Sequence, residues 1–108
     1  MLKASIQMVK PGQEQKLRAW LSELMDRQDE VRETFEQETV RHEQGYLLKI
    51  NDGTALLYIV EAEDLEQASK AYKNSTLLIN AEHRNVMQEV LGDRIPMELL
   101  YDLSFSEG

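Results

Sequence analysis

Cysteine is absent from the 108 residues, which excludes a disulfide framework, a thiolate nucleophile and thiolate metal ligation. The two histidines show no His-x-x-x-His or His-x-His spacing, so no metal site is expected. The five glycines are scattered and build neither a phosphate loop nor a dinucleotide fingerprint, and no Gly-x-Ser-x-Gly elbow occurs. The sequence therefore implies no cofactor. Basic residues are also scarce. Twelve Lys and Arg face 20 Asp and Glu, a net charge of −8, and no Lys/Arg stripe offsets that field. Nucleic acid is not an expected partner. The longest uninterrupted apolar run, Ala55 to Val60, is far short of the ~20 residues of a membrane span. Met1 to Lys10 alternates polar and apolar residues instead of following a charged segment with an apolar one, so it does not read as a leader. The cytoplasm is the expected location, and no membrane partner is implied.

What is present is a globular balance, with 42% apolar and 30% charged residues. One domain over residues 1–105 is expected, with 106–108 as a loose tail. Leu2, Ala4, Ile6 and Met8 recur with the period of a strand, which stops at Lys10-Pro11-Gly12. A long helix is predicted from Pro11 to Gln37. Its apolar stripe is Leu17, Trp20, Leu21, Leu24, Met25, Val31 and Phe35, weakening at Gln28, where a kink or a second helix fits. Thr39 to Ile50 reads as a strand with Gly45 as the expected bulge. Asn51-Asp52-Gly53 is hairpin chemistry, and Ala55 to Glu61 is the return strand, apolar on both faces. Asp64 with Gln67 opens a helix in the manner of a capping box. Asn80 is the predicted cap of a last helix, Ala81 to Leu91, which buries Val86, Met87, Val90 and Leu91 and stops at Gly92. Met97, Leu99, Tyr101, Leu103 and Phe105 then alternate as a fourth strand.

The order β-α-β-β-α-β predicts an α+β, ferredoxin-like plait: a four-stranded antiparallel sheet with its helices on one face. The helices are expected to cover Leu2, Ala4, Ile6 and Met8 together with Leu99, Tyr101 and Leu103. The open face then carries Lys3, Ser5, Gln7, Glu98, Leu100, Asp102 and Ser104, plus one apolar set from the hairpin. An exposed apolar patch of several hundred Å² marks an interface, so a homodimer through the open sheet face is the expected assembly.

The plait, Lys10-Pro11-Gly12, the acidic entry Glu61-Ala62-Glu63-Asp64-Leu65 and the late Glu82-His83-Arg84 together resemble the dimeric α/β-barrel superfamily. That superfamily includes cofactor-independent monooxygenases of the antibiotic-biosynthesis type and a sugar mutarotase. The resemblance is nearest to an uncharacterised bacterial family in which a histidine lies a few residues into the last helix. It implies the fold and the dimer but no particular reaction.

Three residues stand out as acid, base or orienting groups. His83, near the start of the last helix, carries an imidazole, a group that ordinarily titrates near neutrality, and lies on the edge of the buried stripe. Glu43 neighbours His42 on a strand, so only one of the two faces inward. An inward carboxylate needs a partner, with Arg41 or Lys3 available. Tyr58 lies in mid-sheet with an apolar body and a hydroxyl handle. For each, the plainer alternative is a structural or solvated side chain. Tyr46, Tyr72 and Tyr101 read as core or interface aromatics, and Trp20 as a helix anchor. Glu98 and Asp102 lie roughly 13 Å apart along a strand, too far for a carboxylate dyad. Three functions remain open: a homodimer binding a small organic molecule between sheet and helices, an enzyme of the cofactor-free monooxygenase or sugar-isomerase kind, and a structural or interaction dimer with no small-molecule site.

Overall fold

Residues 1–105 are described in a computed structural model. Their elements are β1 (Leu2–Val9), α1 (Glu14–Asp26), α2 (Gln28–Glu38), β2 (Val40–Ile50), β3 (Gly53–Ala62), α3 (Leu65–Asn74), α4 (Leu78–Val90) and β4 (Leu91–Ile95). The four strands form one sheet in the order β2-β3-β1-β4, and every pair is antiparallel. The architecture is α+β, compatible with the expected plait. The tail expected at 106–108 lies outside the described residues.

The local chemistry explains most boundaries. The single long helix expected at Pro11–Gln37 is two. It breaks at Arg27, whose φ of −120° and ψ of 44° are not helical. The Arg27 guanidinium holds Glu23 at 3.1 Å, Glu82 at 2.5 Å and Glu30, which locks the elbow between the helices. Thr39 ends α2 in a left-handed conformation at φ 57°. The Asp64 side chain accepts a hydrogen bond from the Gln67 amide at 3.0 Å, as the sequence predicts. At the other crossover the expected cap is replaced. Leu77 precedes α4, and Asn80 sits buried inside its first turn. The β2–β3 hairpin closes on Asn51 and Asp52, with Ile50 paired to Gly53. Only Asn51 of those two takes a positive φ, not both central residues as the turn chemistry suggests. The bulge of β2 falls between Val40 and His42, not at Gly45.

The fourth strand is not where its alternation places it. β4 runs directly out of α4 over Leu91–Ile95, so Gly92 lies within a strand and is not a helix stop. The Lys10 amide donates to the Val90 carbonyl at 2.8 Å, and the Gln7 side chain donates to the Gly92 carbonyl at 2.9 Å. These bonds pin β4 against the end of β1. Pro96 has no amide to continue the ladder. The stretch from Met97 to Phe105 is in neither helix nor strand and is exposed.

The faces of β1 are also reversed from expectation. Register places Gln7 beside Leu56, Ser5 beside Tyr58 and Lys3 beside Val60, and Val9 shares their side. Val9 and Leu56 pack with Leu17 of α1 and Val90 of α4 in one core cluster. Val60, Val40, Ala62 and Ala68 of α3 form the second cluster, with Phe35 of α2 and Leu65 against it. Both clusters use one side of the sheet. Leu2, Ala4, Ile6 and Met8 therefore look away from the helices, in rows with Leu57, Ile59, Leu48 and Tyr46. Strand alternation fixes which residues share a face, while the packing of helices on Val9 and Leu56 fixes which face is covered. The open face is the more apolar one.

Candidate functional site

The two core clusters are separated by a polar band. On β3 the boundary between Leu56 and Val60 is Tyr58. Its neighbours across the sheet are Ser5 of β1 and Gly45 of β2. This row has one large side chain flanked by a small one and by none at all. A Cβ built at Gly45 meets only the Leu56 side chain, at 3.7 Å, so the glycine leaves ordinary space above the strand. The helix roof above this row supplies aromatic and titratable side chains instead of aliphatic ones.

His83 of α4 is the centre of that roof. The Trp20 indole N–H donates to His83 Nδ1 at 2.8 Å. An indole only donates, so Nδ1 is the acceptor and the neutral imidazole carries its proton on Nε2. Burial lowers the His83 pKa to about 4, and the neighbouring Arg84 charge adds to the effect. The imidazole is neutral at pH 7 and presents one N–H donor. Tyr72 of α3 meets the His83 ring edge-on, with centroids 6.0 Å apart. Arg84 donates to the Tyr72 carbonyl at 2.7 Å, and its guanidinium lies 5.6 Å from the Tyr72 ring centroid. Burial pushes the Tyr72 hydroxyl up to about 12.

Glu43 and Tyr58 meet on the sheet side. Glu43 faces the helices while His42 faces the opposite way beside Glu61, as alternation requires. Among the described residues no cation pairs with the carboxylate: Arg41 pairs with Glu63, and Lys3 is exposed. The Tyr58 hydroxyl lies against Glu43 instead. Burial raises the Glu43 pKa, opposed by the Tyr58 hydroxyl. It also raises that of Tyr58, with Glu43 adding to the effect, and both groups favour their protonated forms. Sequence reasoning missed a second carboxyl, Glu38. It ends α2, is buried, and accepts from the Asn80 side chain at 3.5 Å. Burial raises its pKa to about 7, Asn80 opposes the rise, and the Glu43 charge adds to it. The available signal was an acidic residue at a helix C-terminus, where the helix dipole disfavours a negative charge.

The arrangement joins His83, Tyr72, Tyr58 and Glu43 as successive neighbours, with Glu38 and Asn80 beside them and Trp20 orienting the imidazole. It offers several hydroxyl, carboxyl and N–H donors and few fixed charges. The other candidates lie elsewhere. Tyr46 is on the open face, 48% exposed, and donates to the Gln44 side chain at 3.1 Å. Tyr101, Glu98 and Asp102 lie on the exposed stretch after β4. Two open hollows, about 390 and 480 Å³, lie at the Arg27 elbow and between Lys10-Pro11-Gly12 and Asp52-Gly53. Neither is lined by His83, Tyr58 or Glu43. Among the described residues no three His, Asp or Glu side chains gather as metal ligands. No helix is long and apolar enough to cross a membrane among those residues.

No curated protein and no solved structure matches the chain. A family model does match, over residues 2–107, nearly the full length. The chain belongs to that family, a family of unknown function designated DUF6176.

Proposed function

We propose that this chain is a homodimer of the dimeric α/β-barrel type, paired through its open sheet face. We propose further that it binds a small neutral organic molecule between its sheet and helices without a cofactor. The observation that carries the ligand reading is the interrupted core. A layer that could be continuous apolar packing instead has Ser5, Tyr58, Gly45 and Glu43 on the sheet side, with Tyr72 and His83 from the helices. Buried polar groups are costly unless bonded, so a band of them across a small core needs a reason beyond stability. The site's chemistry suits a hydroxylated or carbonyl-bearing ring. His83 Nε2–H is a donor, the Tyr58 hydroxyl is a donor and acceptor, the carboxyls of Glu43 and Glu38 are acceptors whose protonated forms burial favours, and aromatic walls cover ring faces. The dimer reading is supported by the bare face itself, where Ala4, Ile6, Leu48, Ile50, Leu57 and Ile59 lie in adjacent rows without a covering helix.

One observation favours chemistry over simple binding. Glu38 is buried against the Asn80 side chain of α4, the helix that carries His83, and burial pushes its carboxyl up to about 7, the range of a general acid or base. A cofactor-free monooxygenase or a sugar isomerase is the corresponding reading.

The test uses Trp20, the sole tryptophan, whose indole N–H sits on His83. Hydroquinone, phenol and glucose are titrated while that indole resonance is followed by ¹H–¹⁵N NMR. A saturable shift is expected with at least one ring compound, weakened about tenfold or more in Tyr58→Phe. No saturable shift with any of the three, or an unchanged affinity in Tyr58→Phe, overturns the binding site and leaves an interaction dimer.

A further inference from the structure

Two apolar surfaces lack a partner among the described residues. The first is the bare sheet face. The second is the stretch after Pro96, where Met97, Leu99, Tyr101, Leu103 and Phe105 recur with the period of a strand buried on one side. Leu99 is 78% exposed, Tyr101 77%, Leu103 72% and Phe105 89%. Within one chain these surfaces do not meet, because the row stays open to water. The Cα radius of gyration, 14.8 Å, exceeds the ~13 Å of a compact domain of this length.

We infer that in the homodimer residues 96–105 form an arm exchanged between copies, each arm laying its apolar row against the sheet of the other. This rests on the homodimer reading above. A second copy is the occupant because a single sequence carries both halves of the contact. A twofold exchange satisfies each arm and each sheet once and closes the assembly. The large apolar side chains of one arm remove on the order of 600–800 Å² from water, close to the ~800 Å² each partner contributes to a stable interface. The sheet also offers the arm a backbone seat. β4 pairs with β1 at Ile6, Gln7 and Val9, so the same edge of β1 from Leu2 to Ser5 has no ladder partner among the described residues. Strand addition there satisfies that edge and ties the arm down.

The experiment is sedimentation velocity on the full chain and on the double variant Leu99→Glu, Leu103→Glu, both at micromolar concentration. The two leucines are mostly exposed in the single chain, so the charges leave the core alone, and circular dichroism checks the fold. The expected result is a wild-type dimer whose dissociation constant rises at least ~100-fold in the variant. An equally tight variant dimer overturns the arm and leaves face-to-face pairing standing. A monomeric wild type overturns both. Because the chain has no cysteine, a nitroxide on Ser104→Cys gives a second readout. Mixed with ¹⁵N-labelled chains that carry no nitroxide, it should broaden the Ala4 and Ile6 amides of the other copy. A dimer without that broadening also overturns the exchange.

Discussion

Glu38 and His83 are buried in one polar band, and their displaced titrations pull stability in opposite directions with pH. Burial raises the Glu38 pKa from 4.5 to about 7, so the folded chain keeps this proton where the unfolded chain has lost it. Its contribution is fully present below pH 4.5 and declines as pH climbs through 7. Burial lowers the His83 pKa from 6.5 to about 4, so the unfolded chain takes up a proton that the folded chain refuses. Its contribution is present above pH 6.5 and declines as pH falls through 4. Moving a titration by one pH unit corresponds to ~1.4 kcal/mol, and partial solvation of both groups reduces the total to about 2–3 kcal/mol apiece. Over the shared window the two slopes nearly cancel, so neither is visible in the wild type alone. Urea unfolding of wild type, Glu38→Gln and His83→Gln from about pH 4 to 7, at one protein concentration, separates them. Subtracting the wild-type curve removes the background of the other carboxylates. The Glu38→Gln difference should rise with pH by about 2–3 kcal/mol, a midpoint shift near ~1 M urea, and the His83→Gln difference should fall by a similar amount. Flat difference curves, or two of the same sign, would refute the claim that both groups are held away from water in the fold.

Trp20→Phe removes the donor to His83 Nδ1. We expect the imidazole to lose its fixed Nε2–H tautomer, read from its ¹⁵N shifts, and stability to fall by about 1–3 kcal/mol in urea. Thr39 takes a left-handed φ of 57° with a branched side chain, and its buried hydroxyl has no hydrogen-bond partner among the described residues. Thr39→Asn should therefore raise the melting temperature, by the equivalent of about 0.5–1 kcal/mol, and a lower one would show that the strain is offset elsewhere.

The hairpin, the Asp64 cap and the buried stripe of α4 were legible because each is written in local chemistry. Two things were not. Alternation in Leu2–Met8 and in Met97–Phe105 marks which side chains act together but carries no information about which layer covers them. In one case the covered side was the polar one, and in the other no layer of the same chain covered it at all. Likewise Glu43, His83 and Tyr58 were visible as residue types. Glu38 and the Trp20 donor became visible only when the roof brought α1, α2 and α4 over β3.

The elbow at Arg27 has a consequence for how the helix layer is divided. An unbroken helix over the same residues would run roughly 37 Å as a single beam across the sheet. Cut at Arg27, it becomes two rafters, α1 resting with α4 above Leu56 and α2 with α3 above Val60. The join between those panels falls near Tyr58, so the polar band coincides with a seam in the roof and each greasy half is left whole.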